Sequence, residues 1–510
     1  MSESLPENWS ETSIGEVVAL AGDRADPAQA EGVPFLGLEH IEAHSTRILE
    51  PGDAADMKSS SPRFKAGDVL YSRLRPYLNK VCVPDFDGLC SGEIYVLRPE
   101  AGIVSDFLKF RINSFDFVDF AKHLDNGDRP RVKYDEVSQF RFGLPPSKEQ
   151  QRILSVLEPT LAKIDEAEEA LERVRRNLDR YRASVLKAAC EGRLVPTEAD
   201  LARQQARDYE PASQLLKRIL IARREAWEKA QLEAYAKKGK TPPKDWKSRY
   251  PEPQAPDTSD LPELPEGWCW ASIDQLVAKT NYGTSVRCDF ESTGVPVLRI
   301  PNISAGKVSF EKLKFATADL GVSIDDYLEL GDLIICRTNG SLRLVGKCAV
   351  YDTPSTEKTH FASYLIRLRF VLRAEHGRWI WAILSSPMGR GQIEAIAASS
   401  AGQHNISLGN LQQFPVPLPP LLETSRIIEK LGEVEAFIET LCKASNPHLQ
   451  KLSTLRQSLL KHAFSGKLVP QDPADEPASV LLERIRDQRS ELEGSTTPRK
   501  RAIRKTKKSS

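Results

Sequence analysis

At 510 residues the chain is too long for one compact core and long enough for two or three domains. Hydrophobic residues make up 40% and charged residues 28%, ordinary globular values that argue against wholesale disorder. The formal net charge is zero, which argues against a uniformly basic nucleic-acid binder and leaves any such work to local patches. No apolar run is long enough to span a membrane, and MSESLPENWS has neither the basic region nor the apolar stretch of a secretory signal. The cysteines (Cys82, Cys90, Cys190, Cys269, Cys288, Cys336, Cys348 and Cys442) form no CxxC pair. They read as reduced, small buried residues of a cytoplasmic protein.

The first half opens on LPENW at 5–9 and continues as a mixed module with short β-rich runs, VPFLGL, DVLYSRL and EIYVLR, punctuated by Gly, Pro, Asn and Asp. A helical stretch follows at 106–121. After Pro145-Pro146, Ser147 and Gln150 form a capping-box pattern that starts a long helix. Leu157, Leu161, Ile164, Leu171, Val174, Leu178, Tyr181 and Val185 then recur at heptad spacing. Gly192 and Pro196 supply a stop. Unbroken, this helix would span roughly 65 Å, with Pro159 expected to kink it early. A second helical stretch covers roughly 211–237, and the Pro-rich polar run at 237–265 reads as an exposed linker.

The second half repeats the first in the same order. LPENW returns as LPEGW at 264–268, GVPFLGLEHI at 32–41 as GVPVLRIPNI at 294–303, and GDVL at 67–70 as GDLI at 331–334. QFRFGLPP at 139–146 returns as QFPVPLPP at 413–420, RASVLKAACEGRLVP at 182–196 as RQSLLKHAFSGKLVP at 456–470, and EPASQLLKRI at 210–219 as EPASVLLERI at 476–485. Its β-rich runs are VPVLRI, DLIICR, KCAVY and SYLIRLRF, with a helical stretch at 378–386. The second long helix carries Ile427, Leu431, Val434 and Ile438, then Leu452, Leu455 and Leu459, and stops at Gly466. Asn446-Pro447 falls inside it, where a proline costs about 3 kcal/mol, so a break or bend is expected. Neither helix can bury its seam alone. The two are expected to pair antiparallel about a pseudo-twofold axis, the alternative being that each packs only on its own module. RKRAIRKTKKSS at the end reads as a mobile solvated tail, with non-specific phosphate affinity as a second possibility.

Catalytic signatures are missing. The Pro-Pro pairs in LPPS, TPPK and LPPL lack the preceding Asp or Asn and the following aromatic of an adenine methyltransferase, and no strand leads into a Gly-rich dinucleotide loop. GSLRLVGKC at 340–348 separates its glycines by five residues where a phosphate loop needs four, and Cys348 stands where Ser or Thr would bind magnesium. His40 and His44 have HExxH spacing, but Ile41 replaces the required Glu. No metal site and no catalytic site is expected.

The repeat resembles the specificity subunit of a type I restriction-modification system. The resemblance rests on GVPVLRIPNISAGKV at 294–308, GDLIICRTNGSLRLVGKCAVY at 331–351, AGQHNISLGNLQQFPVPLPP at 401–420 and LRQSLLKHAFSGKLVPQDPADEPASVLLERI at 455–485, with their first-half counterparts. It implies an α+β protein of two mixed α/β target-recognition domains, separated by two long helices that pair as an antiparallel coiled coil. On this reading residues 1–146 are the first recognition domain and 147–196 the first helical spacer, followed by a helical segment and linker at 197–260. Residues 261–420 are the second recognition domain, 421–470 the second spacer, and 471–510 a short helix with the basic tail. The family's subunit is non-catalytic. It reads a bipartite site in double-stranded DNA and gathers two methyltransferase subunits and restriction/translocase subunits. S-adenosylmethionine, ATP and magnesium are then expected on those partners and none on this chain. A stretch between Pro196 and Glu210 that is eight residues longer than its counterpart, and Pro447, depart from the pattern and bear on spacer geometry. A coiled-coil scaffold whose modules bind protein is the alternative.

DNA requires cations for phosphates and planar donors for base edges. The first module offers Arg63, Lys65, Arg73, Arg75 and Lys80, opposed only by Asp68, with Tyr77 and Asn79 between them. A second loop, NGDRPRVKY at 126–134, adds Arg129, Arg131 and Lys133. The matching places in the second module hold Arg337, Asn339, Ser341, Arg343 and Lys347, and its other loop holds Gln403, His404 and Asn405. The copies differ most in these loops, as reading two different half-sites requires.

Overall fold

The protein, as a computed structural model, is described for residues 5–26, 30–124, 129–304, 306–353, 358–400 and 402–495. The basic run at 499–510 lies outside them. The chain forms two compact units that cut across its sequence halves. One comprises Met1–Glu172 and Ser445–Ser510, the other Arg173–Ala444. The principal helices are α1 (Ser105–Asn113), α2 (Phe115–Lys122), α3 (Ser147–Cys190), α4 (Ala212–Lys237), α5 (Arg373–Ser385), α6 (Pro387–Ile396), α7 (Leu421–Phe464) and α8 (Ala478–Ser495). The long helices α3 and α7 each place one end in each unit.

In the first unit β1 (Ser10–Ser13), β2 (Val18–Leu20), β3 (Val69–Ser72), β4 (Val81–Cys82), β5 (Ile94–Pro99) and β6 (Arg141–Leu144) carry the framework. Strands β2-β5-β3-β4 make an antiparallel sheet with Tyr95 opposite Tyr71, and β1 pairs with β6. A five-stranded sheet includes Ser61–Phe64 and Gly88–Cys90. Strand β3 is buried throughout, because helices cover it: the ring of Tyr71 meets Phe117 edge-on at 5.3 Å, and Phe117 meets Phe140 at 5.0 Å. The helical stretch expected at 106–121 is two helices. Ser114 is extended (ψ 154°), and its hydroxyl turns back to the Arg111 carbonyl at 2.6 Å.

In the second unit the corresponding strands are β7 (Cys269–Ser272), β8 (Val277–Tyr282), β9 (Leu333–Cys336), β10 (Thr338–Asn339), β11 (Cys348–Val350), β12 (Leu365–Phe370), β13 (Ala398–Ser400), β14 (Gln403–Asn405) and β15 (Pro415–Leu418). Strands β8-β12-β9-β11 run in that order and continue through Gly306–Val308 and Ile303–Ser304. Strand β7 pairs with β15, and β10-β14-β13 form a separate ribbon. Ser386 breaks α5 from α6 as Ser114 breaks α1 from α2. Trp379 is fully buried, donates to the Pro417 carbonyl at 2.8 Å and meets Trp268 edge-on.

Each unit is closed by a segment from the other sequence half. In the first, the Ala478 amide donates to the Asn8 carbonyl at 3.0 Å; in the second, Ala212 donates to Gly267 at 2.8 Å. Arg489 donates to the Val18 carbonyl at 2.8 Å and Arg223 to its counterpart Val277 at 3.0 Å. The helix stops match as well. Gly192 and Gly466 are left-handed (φ 66° and 71°), and the next amides, Arg193 and Lys467, return to the carbonyls of Ala188 and His462.

Antiparallel pairing of α3 with α7 is present inside each unit. In the first, Gln471, past the end of α7, reaches Glu149 at the start of α3 at 2.7 Å, while Arg456 pairs with Asp165 and Glu168 further along. Leu157, Leu161 and Ile164 share a core there with Leu460, Ala463 and the half-buried Leu452 and Leu459. In the second, Arg182 grips Glu435 at 2.9 and 2.8 Å, and Leu178 and Val185 share a core with Ile427, Leu431, Val434 and Ile438. Burial of each such side chain contributes about 1.5–3 kcal/mol, more than an exposed ion pair.

Three seam expectations need correction. Val174, Tyr181 and Leu455 are 45%, 47% and 51% exposed. Leu186, Ala189, Leu460 and Ala463 are buried instead, because the helices also pack on their modules and so bury a wider face than a strict heptad. Leu171 is half-buried. Helix α7 runs through Pro447 without a break, as α3 runs through Pro159. Pro447 itself is exposed, and the helix is held by residues buried further along it on either side, Ile438 before and Leu460 after. Ser147 and Gln150 do not form a reciprocal cap: the serine hydroxyl donates to Gly102, and the glutamine side chain bridges the Pro145 carbonyl and the Val104 amide. The Pro-rich run is not wholly exposed either. Trp246 stacks on Trp227 and Tyr250 is buried, because these rings supply apolar area the prolines lack.

Candidate nucleic-acid interface

The central strand of each module delivers an arginine where it leaves the sheet. Past β3, the Arg73 amide still donates to the Glu93 carbonyl at 2.9 Å; past β9, the Arg337 amide donates to the Tyr364 carbonyl at 3.0 Å. Beyond that point each chain turns to meet the second candidate loop. In the first module Leu74 bridges Arg131, Arg75 donates to the Pro130 carbonyl at 2.8 Å, and Val132 donates to that of Arg73 at 3.0 Å. In the second, Thr338 and Asn339 of β10 pair with Asn405 and His404 of β14, and Ile406 donates to the Arg337 carbonyl at 2.9 Å. The loops that are 58 and 68 residues apart in sequence (73 to 131, 337 to 405) are thus one surface in each module.

The side chains on this common backbone differ. In the first module Glu93 binds Arg131 through two bonds, 2.9 and 3.1 Å, and lies 3.9 Å from the Arg73 Nε. That hydrogen bond and charge hold the Arg131 guanidinium more firmly protonated. Arg73 lies over the Tyr95 ring at 5.4 Å. Burial pushes the Tyr95 phenol up, so it stays a neutral donor to the Val132 carbonyl at 3.0 Å. Arg75, Tyr77, Arg129 and Lys133 are exposed. Arg75 is left-handed (φ 52°), a conformation costing about 1–3 kcal/mol in a non-glycine residue; its bond to Pro130 holds it there.

In the second module Arg337 lies over Tyr282 at 4.7 Å, and its Nε donates to the Asn405 Oδ1 at 3.3 Å, an oxygen that also accepts from the Thr338 hydroxyl at 2.6 Å. Asn339 spends its oxygen on the Ser341 amide at 2.8 Å. Ser341, Arg343 and Gln403 are exposed, and His404 and Lys347 half-buried.

Some candidates lie elsewhere. Asn79 is 2% exposed and its amide donates to the Asn113 carbonyl, so the side chain belongs to the scaffold, a correction forced by its burial. The Lys80 ammonium is tied to the Leu38 carbonyl at 2.5 Å. Arg63 and Lys65 are exposed but sit on and after a strand of the other sheet, and join neither bridge. His40 uses Nδ1 within its own turn, toward Gly37 and Phe35. Among the described residues no group of three or more His, Cys, Asp or Glu is placed to hold a metal ion, and no helix is long and apolar enough to cross a membrane.

No family model matches the chain. It is 24% identical over 463 residues to the specificity subunit of the type I restriction enzyme EcoKI of Escherichia coli strain K12, covering 89% of this chain and 84% of that one. It is 23% identical, over an alignment of 530 residues, to the StySPI specificity subunit of Salmonella potsdam, covering 98% and 99%. Both relatives are type I restriction specificity subunits, and the likeness to them runs nearly the length of this chain. A solved structure described as the structural basis of complex assembly and conformational transition of the type I R-M system matches this chain's fold with a TM-score of 0.54. At 20% identity it covers 91% of this chain and all of its own.

Sequence reasoning missed Glu93, Tyr95 and Tyr282, the neighbours of the two arginines. Glu93 and Tyr95 fall in the run EIYVLR, where they look like ordinary strand residues. No local pattern set them apart: Tyr95 is half-buried against the first module's core, in a strand whose burial does not strictly alternate.

Proposed function

We propose that this chain is the non-catalytic subunit that reads a two-part sequence in double-stranded DNA, one part through each module. On this reading it also assembles two methyltransferase subunits and restriction/translocase subunits. The repeated bridge carries the proposal: one backbone arrangement occurs twice with different donors at equivalent places. Arg75, Arg129 and Arg131 of the first copy are Asn339, Gln403 and Asn405 of the second. Arg suits guanine and Asn or Gln suits adenine, so Arg75 and Arg129 on one surface and Asn339 and Gln403 on the other fit different base steps, while Arg131 and Asn405 are engaged within their own modules. Arg63, Lys65, Lys133, Arg343 and Lys347 suit phosphates rather than bases. S-adenosylmethionine, ATP and magnesium belong to the partner subunits, and the mostly buried cysteines fit a cytoplasmic protein. The scaffold alternative gains no support from relatives that are themselves specificity subunits.

Co-purification with the cognate methyltransferase and mapping of methylated adenines on genomic DNA tests the proposal. The expected result is a bipartite motif with a fixed gap, lost when this chain is deleted. Stable assembly with no motif would overturn sequence reading.

A further inference from the structure

The two arginines at the sheet exits occupy the same place on the backbone but have different neighbours, and only Arg337 is anchored by a hydrogen bond at Nε. In the first module Glu93 lies near the Arg73 Nε and binds the neighbouring Arg131 through two bonds, so this acid neutralises part of the local charge. In the second the place of Glu93 is taken by Tyr364, and Asn405 replaces Arg131. Of the three guanidinium nitrogens of Arg337, Asn405 accepts from Nε, while the Tyr282 ring supports the guanidinium from one face. Both terminal nitrogens of Arg337 lack a partner among the described residues. Asn405 is itself fixed, by the Thr338 hydroxyl and by strand pairing.

A guanidinium stacked on one face, anchored at Nε and open at Nη1 and Nη2 has the donor geometry that the O6 and N7 edge of guanine accepts. Resting on the DNA-reading function above, we infer that Arg337 reads one guanine in the half-site of the second module, with Tyr282 and Asn405 as its positioning residues. Asn405 supplies a neutral anchor, so the whole charge of Arg337 remains available to the base. A carboxylate there would offset that charge, as Glu93 does beside Arg73 and Arg131 in the first module.

The test is methylation mapping with the complete complex carrying wild-type chain, Arg337→Gln, Asn405→Asp, Tyr282→Leu or Arg73→Gln. The wild-type motif should contain a guanine in one half-site. Arg337→Gln should lower the preference for that guanine roughly ten- to hundredfold and leave the other half-site unchanged. Asn405→Asp and Tyr282→Leu should relax the same position more weakly, a shift in base preference that loss of fold would not give. Arg73→Gln should leave that guanine untouched. An unchanged motif with Arg337→Gln overturns the inference while leaving the DNA-reading function intact. If that variant methylates too poorly to map, competition binding decides: equal loss for guanine and substituted sites makes Arg337 a phosphate contact and overturns the inference. A wild-type complex without any motif would instead defeat the underlying function.

Discussion

The indole nitrogen of Trp9 donates to Oε1 of Glu149 at 3.0 Å, tying the start of the first module to the start of α3. Trp268 and Glu423 make the same bond at 2.9 Å in the second unit. Glu149 and Glu423 are 1% and 0% exposed, so each needs its donors. The segment from the opposite sequence half supplies another: the Gln471 side chain for Glu149, and the Glu198 amide for Glu423.

Trp9→Phe should destabilise the protein by about 1–3 kcal/mol, since it leaves a buried carboxylate short of a donor while keeping most of the ring's apolar area. Trp268→Phe should do the same. Urea unfolding of the purified complex measures both, and wild-type midpoints in both variants would show that these bonds contribute nothing.

The same carboxylates set a pH dependence. Burial pushes both upward from the ordinary glutamate value of 4.5, against the bonds from Trp9 and Gln471 for Glu149, and from Glu198 and Trp268 for Glu423. Above 4.5 the unfolded chain has released protons that the folded chain still holds. Their contribution to stability therefore falls as pH rises from 4.5 through the raised values. The Glu149→Gln, Glu423→Gln double variant should lack this fall, so the stability difference between it and wild type should change across that window. A difference that is flat with pH would contradict the shift.

Asp326 behaves in the opposite sense. Burial acts to raise it, but bonds from Lys279 and Ser323 and the Lys279 charge overcome this and hold it at about 2. Lys279, Asn281 and Ser323 each donate to it at 2.8 Å. Its stabilisation is complete above the ordinary value of 3.8 and is lost as pH falls through about 2. Acid unfolding of wild type against Asp326→Asn should show the two curves converging over that range, and a constant gap would refute the assignment.

A bidentate Arg-Asp pair recurs in both modules with different burial. Arg369 and Asp332 are 5% and 0% exposed, with bonds of 2.8 and 2.7 Å. Arg98 pairs with Asp68 at 2.9 and 2.8 Å, but its side chain is 36% exposed. Arg369→Met should cost about 3–5 kcal/mol by stranding Asp332. Arg98→Met should cost clearly less, because water reaches the site. Equal losses by thermal or chemical unfolding would show that burial does not decide the value of this pair.

Much of this was legible in the residues. The collinear repeats marked the two copies, the apolar spacing marked α3 and α7, and Gly192 and Gly466 marked their ends, because periodicity and left-handed glycines are local properties. The arginines at the ends of DVLYSR and DLIICR could be picked out for the same reason, since a strand ends where its apolar run ends. Three-dimensional packing decided the rest. It set the segment at 478 against Asn8 and that at 212 against Gly267, so each compact unit draws on both sequence halves, a choice no local pattern encodes. Packing buried Asn79, exposed Val174, Tyr181 and Leu455, and carried α7 through Pro447, because burial depends on what lies opposite each face. It also gave equivalent arginines different neighbours, Glu93 for Arg73 and Asn405 for Arg337. Those contacts join strands distant in the chain, and only the folded sheet brings their side chains within bonding reach.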